Sequence, residues 1–217
     1  MKRKEAAAKY HLAIMLCFIW MVLLASCGKK QAEQIKFDNL QVVQVNCENQ
    51  RGSGVVCAAP EGAAVVITAS HVLDGNEKVT VLWQAEKKEN DVETDTISKV
   101  NGLDLAFLEI EGTSVLKEPL YEPDKNHGDQ VILRGYNATG EIQESAGIVS
   151  HSWIYVEDFG CHMMIVKAET VPGMSGGGVF YTNGEFAGII CGEDEEGNVA
   201  ILPASVILAE YSVKFGK

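Results

Sequence analysis

Residues 171–180 read VPGMSGGGVF and place one serine, Ser175, among glycines ahead of a strand-like apolar run. The glycines allow tight turns and positive φ, and they let backbone N–H groups approach a bound carbonyl that a Cβ would obstruct. The stretch is therefore a candidate for a nucleophilic serine beside an oxyanion hole. An ordinary glycine-rich turn between two strands, with a solvating serine, is the alternative interpretation of the same residues.

The chain on either side of this stretch, from residue 37 onward, consists of short runs of apolar and β-branched residues separated by Gly, Asn and Asp. Many short runs with frequent turn residues predict an all-β sandwich or barrel. Residues 111–125 hold two prolines and few strand-forming residues, so they are suited to join two halves. Only residues 204–213, after Pro203, have a helical pattern.

A histidine and an aspartate precede Ser175 in contexts that suit partners of a nucleophile. His71 follows the strand-like run at 63–67, and a strand that delivers an imidazole at its end holds it firmly, as a general base requires. Asp104 lies in the mostly apolar run 101–110, where a carboxylate needs a hydrogen-bond partner such as an imidazole N–H. Each segment has an ordinary structural explanation, but together they supply a base, an orienting carboxylate and a nucleophile.

The segments TASHV at 68–72, DLA at 104–106 and GMSGG at 173–177 resemble the three catalytic blocks of chymotrypsin-fold serine proteases. The bacterial HtrA-like and glutamyl-endopeptidase-like branches are the most similar, and the His, Asp, Ser order is that of chymotrypsin. The resemblance covers roughly residues 42–213. It implies an all-β fold of two six-stranded antiparallel β-barrels with a short C-terminal helix.

In that fold, the resemblance implies a first barrel at about 37–112, a second at about 126–203 and a helix at about 204–213, with the active site between the barrels. His71 would take the proton of the Ser175 hydroxyl as it attacks a peptide carbonyl, and Asp104 would orient the imidazole. No metal or organic cofactor is required, and the partner is a protein or peptide substrate.

The resemblance also implies an oxyanion hole formed by the N–H groups of Gly173 and Ser175. It further implies a specificity pocket bordered by Glu169, Thr170 and Cys191. In that pocket, Glu169 would favour a basic side chain at P1, the substrate residue before the scissile bond. A solvent-facing strand glutamate is the alternative.

The N-terminus has the pattern of a secretory signal. Residues 1–11 carry four basic side chains and precede an apolar run at 12–24. That run is shorter than the ~20 residues of a spanning helix, although a short signal anchor is the alternative. Residues 24–28, LASCG, resemble the lipobox of bacterial lipoproteins, which implies cleavage before Cys27 and a membrane anchor through its acyl chains.

From these features we expect a signal peptide at 1–26, a tether at 27–36 and a protease domain at 37–217, on the extracytoplasmic side of a bacterial cell envelope. The net charge of −12 argues against a nucleic-acid partner. Loss of residues 1–26 would remove four basic and one acidic side chain and bring the charge to about −15. The lipid rather than an acidic protein face would then contact the membrane. Because no PDZ domain follows the last strand, we expect a monomer.

Export would leave an even number of cysteines in an oxidising compartment. These are Cys47, Cys57, Cys161 and Cys191. Three pairings are open to them. Cys47 and Cys57 flank a turn-like segment, and a local bridge there would leave Cys161 to pair with Cys191. A zinc site is an alternative, although CxxC spacing is missing.

The main functional hypothesis is therefore a lipid-anchored serine endopeptidase. Two hypotheses from other classes accompany it. One is a catalytically inactive binding module with the same fold, and the other is a structural or immunity-like lipoprotein in which the His, Asp, Ser pattern is coincidental.

Overall fold

The computed structural model describes residues 42–58, 64–85, 88–110 and 127–216. Its strands in the first half are β1 (Val42–Asn46), β2 (Arg51–Ala58), β3 (Ala64–Thr68), β4 (Val79–Ala85), β5 (Lys88–Thr94), β6 (Ile97–Lys99) and β7 (Ala106–Ile110). Those in the second half are β8 (Gln130–Tyr136), β9 (Ile142–Val156), β10 (Cys161–Lys167), β11 (Gly178–Tyr181), β12 (Phe186–Glu193) and β13 (Asn198–Pro203). Helix α1 (Ala204–Phe215) follows β13. The predicted signal peptide, Cys27 and the tether lie outside the described residues.

The first half forms a seven-stranded sheet in the order β5-β4-β1-β2-β3-β7-β6. The sheet curls until its two ends nearly meet. The Thr94 hydroxyl at the end of β5 donates to the Glu109 carbonyl on β7, the strand next to the opposite edge, at 2.6 Å. The prediction of a first barrel is confirmed, but with one strand more than predicted and without full closure among the described residues.

The second half is a closed barrel in the order β10-β13-β12-β11-β8-β9. Closure depends on β9, whose 15 residues pair with β8 along one stretch and with β10 along another. A strand of this length can serve two neighbours in succession. The prediction of a six-stranded second barrel is confirmed.

Three buried apolar clusters explain why several strands are apolar at nearly every position. In β3, Ala64 and Val66 face the inside of the first barrel, whereas Val65 and Ile67 join the cluster between the barrels. Alternate side chains of a strand point to opposite faces, so a strand buried on both faces becomes a continuous apolar run. Because β3 is buried on both faces, its end is held in place shortly before His71.

Helix α1 is part of the same central cluster. Ile207 and Tyr211 are buried, and the Tyr211 ring lies edge-on to that of Phe107 on β7 with 6.0 Å between centroids. Burial of such a side chain stabilises the folded state by roughly 1.5–3 kcal/mol, so packing around α1 helps to hold the two barrels together. The predicted C-terminal helix is confirmed and extends two residues further. Among the described residues, no helix has the length and hydropathy needed to cross a membrane.

The cysteine pairing predicted from the sequence is not formed, since all four described cysteines are free thiols. Strands β1 and β2 pair Asn46 with Arg51, so Cys47 lies at the turn while Cys57 is six residues farther along β2. At ~3.3 Å per residue the two cysteines are about 20 Å apart, well beyond the ~7 Å limit between bridged Cα atoms. The Cys161 thiol instead contacts the Met163 sulfur at 3.4 Å.

Candidate active site

His71 and Asp104 are brought together by the pairing of β3 with β7. His71 lies on a short 3-10 turn directly after β3, Asp104 lies on the turn before β7, and Thr68 pairs with Ala106 between them. The His71 Nδ1 and Asp104 Oδ2 atoms are 2.8 Å apart. The other carboxylate oxygen accepts bonds from the His71 backbone N–H and the Ser70 hydroxyl, both at 3.0 Å. The base and its orienting carboxylate are therefore held by three hydrogen bonds.

These bonds set the charges of the pair. The hydrogen bond to Asp104 raises the pKa of His71 and outweighs partial burial, which lowers it. Burial by itself would raise the pKa of Asp104, but the hydrogen bonds from His71 and Ser70 together lower it. Asp104 is thus ionised. In the neutral form of His71 its carboxylate favours the tautomer with the proton on Nδ1, which leaves Nε2 as the proton acceptor.

The raised pKa of His71 predicts the acid limb of the activity profile. A general base must be neutral, so kcat/KM falls as pH drops through the pKa of His71 in the free enzyme. We expect the midpoint of this limb to lie above the ordinary histidine value of 6.5. Asp104→Asn removes the carboxylate that raises the pKa of His71 but keeps the burial that lowers it. The midpoint of the acid limb should therefore move to lower pH. Peptide hydrolysis measured from pH 5 to 9 tests both proteins, and an unmoved limb would contradict this assignment.

Ser175 belongs to the second barrel, in the loop between β10 and β11, and this loop packs against the first. The Ser53 backbone N–H on β2 donates to the Ser175 carbonyl at 2.7 Å. Gly176 lies so close to the Thr68 hydroxyl that a Cβ would have no room. Ser175 is thereby placed beside the strand end that carries His71. Among the described residues no hydrogen bond yet joins its hydroxyl to the imidazole, and such bonds are often long before substrate binds.

The backbone before Ser175 forms a turn that orients the Gly173 N–H. Met174 N–H donates to the Val171 carbonyl at 3.1 Å, and Gly173 has a φ of +104°. Pro172 fixes a negative φ at the preceding position, so this is a type II β-turn, whose central peptide is flipped relative to type I. Within the described part of the chain, neither the Gly173 N–H nor the Ser175 N–H donates a hydrogen bond. Both remain available to a substrate oxygen.

Ser53 contacts this turn through a hydrogen bond to Gly173. Ser53 was not identified from the sequence as part of the site. Its hydroxyl is fully buried, donates to the Gly173 carbonyl at 2.8 Å and accepts the Tyr136 N–H at 2.7 Å. The bond fixes the peptide that joins Gly173 to Met174, which adjoins the peptide carrying the Gly173 N–H, and so restrains the turn. The available signal was a serine between Gly52 and Gly54 at the start of an apolar strand.

Removal of this hydroxyl should weaken catalysis more than binding. We expect Ser53→Ala to lower kcat by about 10-fold to 10²-fold with little change in KM, less than the ~10²–10³ that loss of an oxyanion donor costs. Steady-state kinetics on one peptide would measure the split. Thr68→Val is the matched control, because the Thr68 hydroxyl is also buried but bonds the Ser53 carbonyl at 2.7 Å. Equal kcat losses in both variants would indicate a structural role only.

A pocket of about 190 Å³ opens beside Ser175. Its lining residues are Thr170, Val171, Pro172, Ser175, Ile190, Gly192 and Glu193. Of the residues expected there, Thr170 lines the pocket. Glu169 is exposed outside it, and Cys191 is buried, with its thiol 3.8 Å from the Asp104 carbonyl oxygen. Glu193 was not identified from the sequence as a pocket residue. The only indication in the sequence is that Glu193 lies two positions after Cys191, the residue expected to border the pocket.

Two packed β-barrels, one closed and one nearly closed, with a His–Asp pair on the first and a serine loop on the second, define the chymotrypsin-like class of folds. The sequence profile of the trypsin-like peptidase domain matches residues 52–189, and the chain belongs to this family. No curated protein matches the chain in sequence.

Solved structures with the same fold include several proteases. The active form of the Rv3671c protease from Mycobacterium tuberculosis superposes with a TM-score of 0.65 at 23% identity, over 81% of each chain. The MamO protease domain from Magnetospirillum magneticum gives 0.63 at 20% identity, over 78% of this chain and 95% of that one. A serine endoprotease from Yersinia pestis gives 0.64 at 23% identity, over 81% of this chain and 62% of that one. At these identities the similarity establishes the fold.

Proposed function

We propose that this protein is a serine endopeptidase in which His71, Asp104 and Ser175 hydrolyse peptide bonds through an acyl-enzyme. The observation that carries the proposal is the arrangement around Asp104. Three hydrogen bonds fix the carboxylate and the imidazole on one barrel. The other barrel presents Ser175, and neither its N–H nor that of Gly173 donates a hydrogen bond within the described ranges.

The chemistry follows from this arrangement. The Ser175 oxygen attacks the substrate carbonyl as its proton passes to Nε2 of His71, and Asp104 stabilises the imidazolium that forms. The N–H groups of Gly173 and Ser175 bind the oxyanion of the tetrahedral intermediate. His71 then gives the proton to the leaving amine, and water deacylates the enzyme by the same steps in reverse.

A fluorophosphonate probe tests this proposal directly, because it phosphonylates only a serine that is activated and accessible. We expect the wild-type protein, but not Ser175→Ala, to be labelled, with the adduct on the peptide that contains Ser175. Circular dichroism and melting temperature establish that both proteins are folded. Absence of labelling in folded wild-type protein would overturn the proposal.

A catalytically inactive binding module of the same fold is the second candidate. The observation in its favour is that the Ser175 hydroxyl and the His71 ring share no hydrogen bond among the described residues. Such a module would be folded and unlabelled, and peptides would bind it without being cut. The same labelling experiment, followed by peptide binding to the unlabelled protein, therefore separates the two candidates.

We further propose that the protein is an extracytoplasmic lipoprotein anchored through Cys27. The support is the sequence around 24–28 and the basic and apolar segments before it. Mass spectrometry of the membrane fraction should find a mature N-terminus at Cys27 with acyl chains attached. Cys27→Ser should abolish both cleavage and lipid. An unmodified Cys27 in the wild-type protein would contradict the proposal.

A further inference from the structure

Exposed apolar side chains are concentrated on strand β9. Seven large apolar or aromatic side chains are exposed in the described ranges, and five of them belong to this strand: Ile142, Ile148, Trp153, Ile154 and Tyr155. Single exposed apolar residues are ordinary, whereas a contiguous set is typical of a contact surface. The proposed peptide hydrolysis uses none of these side chains, so their exposure needs another explanation.

The exposed rings of β9 form an ordered group with a ring of β10. Trp153 and Tyr155 lie on the same face of β9, because alternate residues of a strand face the same way, and Tyr155 pairs with His162. The His162 ring stacks on that of Trp153 with 5.1 Å between centroids, and it lies edge-on to that of Tyr155 at 5.5 Å. Trp153 is nevertheless 51% exposed and Tyr155 55% exposed. Together with Ile148, these three residues are called the aromatic surface below.

The aromatic surface differs in charge from the chain as a whole. The protein has a net charge of −12, yet residues 145–156 contain no acidic side chain. Lys167 on β10 pairs with Ile148 and is exposed. Glu144, just before this segment, is ion-paired with Arg134 at 2.6 Å, and the next carboxylates follow at the β9–β10 turn. This surface can therefore approach lipid phosphates with little of the repulsion that the rest of the protein would cause.

A lipid surface is the partner that this composition fits. Tryptophan and tyrosine are enriched at membrane–water interfaces, because their rings combine an apolar body with a polar group that stays hydrated. Fourteen residues separate Cys27, the proposed anchor, from Val42, where the described domain begins. A chain of that length reaches at most about 50 Å. Anchoring would therefore keep the aromatic surface close to the bilayer, where even a weak affinity is sufficient for contact.

We propose that the aromatic surface docks on the phospholipid headgroups of the membrane that carries the anchor, an inference that rests on the proposed lipoprotein. The rings of Trp153 and Tyr155 enter the interface, and Lys167 faces the lipid phosphates. The acidity of the chain predicts that the acyl chains alone contact the membrane, but that argument does not apply to a surface without acidic groups. Docking would fix the orientation of the Ser175 pocket relative to the bilayer.

The proposal can be tested directly, because Trp153 can be made the only tryptophan of the chain. Trp20→Phe and Trp83→Phe remove the other two. The full-length protein is reconstituted in phosphatidylcholine vesicles with plain or brominated acyl chains, and bromine quenches tryptophan emission only at short range. Rings at headgroup depth are close to the acyl chains, so we expect brominated lipid to lower Trp153 emission by about half or more. Equal emission in both kinds of vesicle would overturn the proposal.

Variants in the same background locate the contact. Ile148→Ser combined with Tyr155→Ser removes two exposed apolar side chains and should reduce the quenching of Trp153 by about twofold or more, because interfacial binding scales with buried apolar area. Val213→Ser is the matched control, since Val213 is 82% exposed but lies on α1. It should leave the quenching unchanged. Melting temperatures should stay close to that of the parent protein, because all three positions are exposed. Equal quenching in the double variant and the control would overturn the assignment.

A second copy of the protein is the competing partner for this surface. Trp153 emission would then shift with the protein-to-lipid ratio and would not be quenched by bromine, which would overturn membrane docking. Mass spectrometry of the same sample separates this inference from the proposed anchor. An acylated Cys27 with unquenched Trp153 overturns docking alone. An unmodified Cys27 with quenched Trp153 overturns the lipoprotein alone, and an unmodified Cys27 with unquenched Trp153 overturns both.

Discussion

Ser175→Ala is expected to lower kcat by about 10⁶-fold, and His71→Ala by a similar factor, because each removes a member of one catalytic unit. The double variant should be no worse than either single one, since a nucleophile without its base and a base without its nucleophile are equally ineffective. The residual rate would come from substrate binding and from the oxyanion donors, which neither substitution removes. Single-turnover kinetics with a rapidly cleaved peptide would measure the three variants over this range.

The same experiment has an internal control for folding. Neither substitution creates a large cavity, because Ser175 and His71 are both partly exposed, so melting temperatures should stay close to that of the wild-type protein. Additive losses in the double variant would show that Ser175 and His71 do not act in the same step. A loss below tenfold in Ser175→Ala would indicate that another residue is the nucleophile.

The strands and the helix were predictable because their signals are local, whereas their arrangement in two barrels was implied only by the resemblance to chymotrypsin-fold proteases. Alternating and continuous apolar runs follow from which strand faces are buried, and the helix at 204–215 begins directly after Pro203, the last residue of β13. Segments around His71, Asp104 and Ser175 are also short enough to be recognised one at a time. Their assembly into one site depends on the pairing of β3 with β7 and on the packing of the Ser175 loop against β2 and β3, and no local pattern specifies either.

Residues that act through distant contacts were missed for the same reason. Ser53 bonds Gly173, which is 120 positions away in the chain, and a serine in a glycine-flanked strand has no distinctive pattern of its own. Glu193 is hydrogen-bonded to Thr170 and lines the pocket, whereas Glu169, adjacent to Thr170 in sequence, does not line it. The lining of the pocket therefore depends on where the end of β12 lies relative to the loop after β10. The bridge expected between Cys47 and Cys57 is not formed. The register of β1 and β2, which places these cysteines far apart, has no local signal in the sequence.

Gly176→Ala is expected to lower the free energy of unfolding by about 3–5 kcal/mol, the combined cost of left-handed strain and overpacking. Gly176 has a φ of +81°, and its added Cβ would lie less than 3.0 Å from both the Ser53 carbonyl oxygen and the Thr68 hydroxyl. Both neighbours belong to the first barrel, and the Ser53 carbonyl is fixed by its bond from Thr68. The serine loop must therefore move away from His71, so fluorophosphonate labelling should be lost in the fraction that still folds.

Gly184→Ala isolates the strain component of this effect. Gly184 has a similar φ of +87°, but an added Cβ there would meet no atom within 4 Å. Its substitution should cost only about 1–2 kcal/mol and leave labelling of Ser175 intact. Thermal unfolding of the two variants should then differ by roughly 5–10 °C for a domain of this size. Equal melting temperatures would mean that the Ser175 loop does not pack tightly against β2 and β3. That result would contradict the contact by which the two barrels form one candidate site.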